Sequence, residues 1–330
     1  MTTCDAAIEN AFGGEDQDGI SICTNGSVNI TGVIVDAAWP AGTCSDNLQG
    51  ILVGGGAKLT FTKSSITAAG AVPLNGCQGG IGIQVGQSET MPLQVGHLTT
   101  NTVSVSGYQK NGITIDGAGS TAKISKTTVT GIGATDQIAQ NGIQVSAGAR
   151  ASITRSVVTG NERDDAAGGC GPDPVANVQS TGLLFFGAAK GSTVTNSTIT
   201  ENDIGVYNFN TGVTAPKVSQ LSVTRDKFVN NRYEGVVFDQ GFATASNDSF
   251  SVGNVGIQSI QYSGQDFGSR GVANADTVSD MTVAAVRVSS DQAAGDILGS
   301  LSISNSKISG NPGPVLDNSP NFVVSQSNNF

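Results

Sequence analysis

Residues 142–161 open with Gly142-Ile143-Gln144-Val145, continue through Ser152-Ile153-Thr154-Arg155, and reach Val158 and Asn161. Both halves of this stretch recur. The first phrase, a glycine, a branched apolar residue, any residue and another apolar one, also stands at Gly50-Ile51-Leu52-Val53, Gly82-Ile83-Gln84-Val85 and Gly112-Ile113-Thr114-Ile115. Looser copies follow at Gly182-Leu183-Leu184-Phe185, Gly205-Val206-Tyr207-Asn208, Gly235-Val236-Val237-Phe238 and Gly256-Ile257. The glycines are 32, 30, 30, 40, 23, 30 and 21 residues apart. A short strand returning at this period marks a solenoid, in which each unit buries its apolar face against its neighbours.

The second phrase is two apolar positions five residues apart, each flanked by small polar residues. The pairs are Val28/Val33, Phe61/Ile66, Leu98/Val103, Ile124/Val129 and Ile153/Val158. They continue as Val194/Ile199, Val223/Phe228, Ala245/Phe250, Val278/Val283 and Ile303/Ile308. Apolar anchors pointing inward, with polar neighbours pointing out, give two short strands around a tight turn. Asn196, Asn247 and Asn305 fall in that turn, where left-handed backbone angles favour Asn or Gly. A second asparagine three residues past the later anchor, as in Asn161, Asn202 and Asn231, is placed to ladder its amide from coil to coil. Each repeat thus supplies three short strands, and stacking them makes a parallel β-helix of about ten coils.

On these phrases the chain resembles the right-handed parallel β-helix repeat proteins of the pectate-lyase-like superfamily, over roughly residues 20 to 320. The resemblance implies an all-β, single-domain fold and a substrate groove along the Gly-Ile-x-Val sheet. It leaves the chemistry open, because that superfamily includes lyases, hydrolases, epimerases, adhesins and tailspikes. The apolar side of Asp5–Phe12 suggests a short N-terminal helical cap over residues 1–20, with the β-helix domain over 21–330.

Composition narrows the classes. Glycine, at 45 residues, lacks the every-third spacing of collagen. No apolar run approaches the roughly 18 residues of a membrane helix. A formal charge of −10 argues against a nucleic-acid partner, while leaving room for a local basic patch that meets an anionic polysaccharide. Five cysteines without a Cys-x-x-Cys pair, beside a single histidine, do not suggest zinc. They suggest an oxidised, secreted or extracytoplasmic protein with Cys4–Cys23 and Cys44–Cys77 bridged and Cys170 left over. Cys44 and Cys77 lie in equivalent loops of neighbouring coils. Met1-Thr2-Thr3 reads as a start placed after a removed leader.

All insertions, the largest being 161–181, flank the Gly-Ile-x-Val sheet, and such loops are where function accumulates. Outward positions of that sheet change from Gln84, Thr114 and Gln144 to Leu184, Phe186, Tyr207, Phe209 and Val237. This apolar, aromatic patch reads as a binding platform for sugar rings or other apolar groups, or as side chains covered by the 161–181 loop. Tyr233, Asp164 and Asp165 adjoin it as further binding residues. A pectate-lyase-type reaction, which the resemblance admits, would use acidic residues around Ca²⁺ and an Arg or Lys as base. Asp203, Glu234 and Asp239 with Arg232 supply those types. Polygalacturonase and mannuronan-epimerase motifs are missing, and His97 reads as an ordinary turn residue. A Thr/Ser array after the tight turn suggests an ice-binding face, but Val157 and Lys307 interrupt it. The sequence reading is therefore a protein that binds or cleaves a polysaccharide-like polymer. A non-catalytic adhesin and an enzyme for a more apolar substrate are the alternatives.

Overall fold

The computed structural model describes residues 19–40, 42, 44, 48–164, 169–171, 177–210, 220–261, 269–290, 299–310 and 322–329. Among them there is no helix, and the strands stack in parallel from coil to coil as a β-helix. The cap expected over Asp5–Phe12 lies outside the described residues. Each coil contributes one strand to each of three columns, named here sheets A, B and C in chain order. Sheet A contains Gln49–Val53, Ile81–Val85, Asn111–Asp116, Asn141–Ser146, Thr181–Phe186 and Ile204–Phe209, and continues in the later parts of Lys227–Asp239 and Ser249–Gln261. Sheet B begins at Ser27–Thr31, sheet C at Ile34–Pro40, and the tight turn joins B to C.

The Gly-Ile-x-Val phrase has a steric origin. A Cβ on Gly205 would lie 2.5 Å from the carbonyl oxygen of Gly235 in the next coil, and one on Gly182 would lie 2.8 Å from that of Gly205. The same overlap with the next carbonyl recurs from Gly19 to Gly256. Ala285 follows Gly256 in this column, and among the described residues no further sheet A strand stacks on it. Just after the glycines, Ile51, Ile83, Ile113, Ile143, Leu183 and Val206 form an inward column with at most 1% exposure. Phe228 stacks on Phe250 at 4.7 Å behind the tight turn.

Every tight turn carries one residue at positive φ, including Lys63, Lys126, Arg155, Asn196, Arg225, Asn247 and Asn305. Pair registers correct three of the sequence anchors. Ile30, not Val28, aligns with Phe61, and Val35, not Val33, aligns with Ile66. Thr100, not Leu98, aligns with Phe61 and Ile124, so Val105 replaces Val103. Ala273 and Val278 replace Val278 and Val283, and Val283 is 52% exposed. The first two slips are of two residues, which keeps the inward face, and the third is of five, one whole anchor spacing; Thr100 and Ala273 are too polar or too small to stand out in an apolar pattern. Thr100 is buried and shares a 2.8 Å hydroxyl hydrogen bond with Thr127.

Two side-chain columns tie the coils together. The asparagine ladder forms as the spacing predicts: Asn161 donates to Asn202 (2.8 Å), and Asn202 to Asn231 (3.1 Å). Its first rung is Tyr108, whose hydroxyl donates to Asn161 at 2.6 Å. The second column follows the positive-φ residue, where a side-chain oxygen accepts the backbone N–H of the preceding coil. Ser156 and Ser197 do this at 3.2 Å, and Ser306 does so for Asp276 at 3.2 Å. Asp226, Asp248 and Asp276 do so at 2.6, 2.7 and 2.8 Å. At the C-terminal end, Phe322–Ser327 adds one more sheet B strand, and Asn329 accepts from Ser306 at 3.1 Å.

Cys44 and Cys77 form the expected disulfide, with Cα atoms 5.4 Å apart. Cys23 is also disulfide-bonded, whereas Cys4 lies outside the described residues. Cys170 is not in a disulfide.

Three stacked carboxyls in a buried column make stability depend on pH. Burial pushes Asp226 up to about 7, Asp248 up to about 8 with its neighbours' charges adding, and Asp276 up to about 7. Unfolded aspartates titrate near ~3.9, so the folded chain holds these protons after the unfolded chain has lost them. Their contribution is complete below about pH 4 and is lost as pH rises through about 7 to 8. The thermal midpoint should rise between pH 8 and pH 5. The triple variant Asp226→Ser, Asp248→Ser, Asp276→Ser, which extends the serine column, should flatten that slope; an unaltered slope would contradict the assignment.

Candidate functional site

Two outward columns run down sheet A. The first is Leu52, Gln84, Thr114, Gln144, Leu184, Tyr207, Val237 and Gln258. The second includes Asp116, Ser146, Phe186, Phe209, Asp239 and Ile260. Alternation along a strand places both on the face away from the core.

The early coils form a hydrogen-bonded polar floor. Asp116 accepts from the Ser146 hydroxyl at 2.7 Å and from the Ser88 backbone N–H at 2.6 Å. Beside it runs a column that the sequence reading missed, at the residue before each glycine. Thr181 donates to Asn141 at 2.6 Å, Asn141 to Asn111 at 2.9 Å, and Asn111 to Gln144 at 3.1 Å. The repeated pairs Asn111-Gly112 and Asn141-Gly142 were the available signal.

The middle coils carry the aromatic tier. Phe186 and Phe209 lie 5.3 Å apart between ring centroids, and Tyr207 and Phe209 6.0 Å apart. Phe186 is 45% exposed, and Leu184, Tyr207 and Phe209 are half-buried. Val237 is sealed in a small cluster with Ile204 and Ile260, against which Tyr207 packs. Part of the patch is therefore a satellite core and part is surface. The Tyr207 hydroxyl donates to Asp239 at 2.9 Å, which fixes the ring from its polar end.

At the corner where sheet C turns into sheet A, Asp203 accepts from the backbone N–H groups of Arg163 and Ser180, both at 2.9 Å. Arg232 lies 3.6 Å from the other oxygen of Asp203, donates to the Arg163 carbonyl at 2.7 Å, and covers the Tyr233 ring at 4.8 Å. Its guanidinium also meets Cys170. Burial pushes Asp203 up to about 6 against these partners, which favour its charged form. Lys110, on the same corner, donates to the Ala139 carbonyl at 3.0 Å, and burial followed by the charge of Arg163 lowers its pKa.

The candidate acids are thus deep. Asp203, Glu234 and Asp239 are each 0% exposed, whereas the Arg232 side chain is 36% exposed. Glu234 aligns with Ile204, next to Asp203, while Asp239 aligns with Phe209 at the other end of the strand. At ~3.3 Å per residue, Asp203 and Asp239 are separated by about 20 Å along the strand. A hydrolytic carboxylate pair needs ~5–10 Å. Tyr233 is nearly buried, Asp164 is exposed, and Asp165 lies outside the described residues. Among the described residues no three acidic, His or Cys side chains stand together as a set of metal ligands. His97 shares a 2.9 Å hydrogen bond with Thr121 on sheet B.

A family model described as right handed beta helix region matches residues 82–269. A single-substitution variant of the periplasmic alginate epimerase AlgG superposes with a TM-score of 0.59 at 10% identity, covering 88% of this chain and 64% of that one. The unsubstituted epimerase gives 0.55 at 10% identity, covering 97% of this chain and 80% of that one. The chain thus spans under two thirds of the length of the first of these structures, and at such identity the likeness establishes the fold. No curated protein matches the chain.

Arg232 is the cation that faces the buried Asp203 carboxyl, so Arg232→Ala should act through charge. At pH 8, above the Asp203 value, the variant buries an ion without its partner and should lose about 1–2 kcal/mol, the loss being limited by the exposure of Arg232. At pH 5 the carboxyl is protonated and the loss should shrink. Equal destabilisation at both pH values, measured by chemical denaturation, would contradict this pairing.

Proposed function

We propose, for a chain that belongs to the family of right-handed β-helix regions, that it is an extracytoplasmic protein that binds a polysaccharide-like polymer across the aromatic tier of sheet A. The observation that carries this reading is Phe186, 45% exposed and backed by Phe209 at 5.3 Å. An exposed phenyl ring normally adds nothing to a monomer, and here it joins Leu184, Tyr207 and Phe209 on a rigid sheet. Sugar rings present flat C–H faces that pack on such rings, while their hydroxyls reach the half-buried Gln144 amide upstream; Gln84, Thr114, Asp116 and Ser146 lie buried around it. Gln144, Leu184 and Tyr207 share one outward column of sheet A, so a chain laid along the axis meets both kinds of side chain.

Binding is the activity proposed, because Asp203, Glu234 and Asp239 are buried and engaged below the surface. A substrate on the tier meets Tyr207 and Arg232 before any of them. In this reading Asp239 positions Tyr207, and Asp203 positions Arg232 and the 162–164 strand end. The structural likeness to an enzyme named for alginate supports polysaccharides as the class of ligand. The Cys44–Cys77 bridge supports an oxidising compartment.

Phe186→Ala and Phe209→Ala should each weaken binding of alginate or a neutral glucan by about 1 kcal/mol, roughly fivefold. Affinity electrophoresis at about 0.5 M salt isolates this stacking contribution from ion pairing. Phe186→Ala should leave the thermal midpoint unchanged, since its ring is at the surface. Unchanged affinity in both variants, or no retention by any polymer, would overturn the reading.

A further inference from the structure

Sheet B and the tight turn make a surface unlike the rest of this acidic chain. The positive-φ residue of the turn is the outermost point of each coil, and in four coils it is a cation: Lys63, Lys126, Arg155 and Arg225, all exposed. Coils stack at ~4.8 Å, so these four span about 24 Å, with neighbours one or two coils apart. Arg225 is steadied in the row by a 3.1 Å hydrogen bond from Nε to Asn196, the residue at the same point of the preceding coil. Lys58, Lys123 and Arg150 project from the strands leading into the turn, and Lys227 from a strand leaving it.

One counter-charge reaches them from below, the buried Asp226 carboxyl, which interacts with Arg225. Among the described residues the strands of sheet B contain no Asp or Glu. The acids of the turn, Asp226, Asp248 and Asp276, are buried beneath it and bonded to backbone N–H groups. The exposed acids of sheet C, Asp36, Glu201 and Asp280, stand beyond its first outward positions. Spacings of one or two coils fall within a Debye length of ~10 Å, so the cations act on a ligand as one field.

Most of the remaining outward positions of sheet B are small hydroxyls and amides in two ranks, with Val272 as an exception. One contains Thr60, Thr99, Ser152 and Thr193, and the other Thr62, Asn101, Ser125 and Thr154. They hydrogen-bond across coils, as between Thr193 and Ser152 at 3.1 Å, and between Thr31 and Thr62 at 2.9 Å. The array considered on sheet C at the sequence level is therefore more complete one strand earlier.

We propose that this face binds an anionic polysaccharide, laid along the β-helix axis, with its acidic groups on the turn cations and its hydroxyls on the ranks of sheet B. This surface, sheet B with the turn that joins it to sheet C, is separate from the outward columns of sheet A and does not rest on the aromatic tier. Sugar fits better than nucleic acid for two reasons. A flat sheet cannot enter a duplex groove. In addition, the one Phe, Tyr or Trp ring pointing outward from sheet B among the described side chains, Phe242, is already covered by Arg270 at 4.6 Å, so bases find no stacking platform.

Sister coils supply a variant that keeps the fold, because Asn holds the same backbone conformation at Asn196, Asn247 and Asn305. The triple variant Lys126→Asn, Arg155→Asn, Arg225→Asn should bind sodium polygalacturonate about tenfold or more weakly at about 50 mM salt. The unaltered protein should itself lose about tenfold or more between about 50 and 200 mM. Neutral dextran should show no salt-dependent binding, which separates this surface from stacking on sheet A. If the turn variant loses its β signal in circular dichroism, Lys58→Gln with Lys123→Gln makes the same test on the strands. Polygalacturonate affinity unaffected by the substitutions would overturn the proposal, as would equal or tighter binding of duplex or single-stranded DNA.

Discussion

Stacked sheet A strands approach so closely that no side chain fits at the glycine of the Gly-Ile-x-Val phrase. The backbone ladder holds coils at ~4.8 Å, and a Cβ in the glycine column would meet the carbonyl oxygen of the next coil. This contact fixes where each coil begins and which way Ile143 and its equivalents point. The same register brings Asn161 under Asn202 and Asp226 under Asp248. The glycine that marks the repeat in the sequence is thus the point at which stacking tolerates least.

Stacking at a fixed rise turns single residues into columns. One asparagine per coil becomes an amide ladder, and one small acceptor per coil becomes a chain of backbone hydrogen bonds. Where the acceptor is aspartate, the same geometry gathers three carboxyls that would repel if all were charged. On the outside, three aromatics on two neighbouring strands become the tier of Phe186, Tyr207 and Phe209, and the cations of four turns become a basic edge. The chain's net charge of −10 hides that edge, because the described strands of sheet B contain no Asp or Glu.

The repeat was legible because glycine and the five-residue anchor spacing are local and strict. The three displaced anchors were not, since Thr100 is an inward residue without an apolar side chain and Ala273 is among the smallest. The outward aromatics could be read by counting along each strand, but their fate depends on contacts between coils. Val237 closes into a cluster with Ile204 and Ile260, while Phe186 stays at the surface. The depth of Asp203, Glu234 and Asp239 was hidden for the same reason. The basic edge escaped notice because its members are separated by 29 to 70 residues, as between Lys126 and Arg155 or Arg155 and Arg225.

The central claim is that a polymer chain lies on the aromatic tier of sheet A. Hydroxyl-radical footprinting with and without a saturating glycan reads the exposure of each ring directly. The account predicts that Phe186 loses most of its reactivity on binding, with smaller losses at Tyr207 and Phe209. A bound glycan that leaves Phe186 as reactive as before would contradict it.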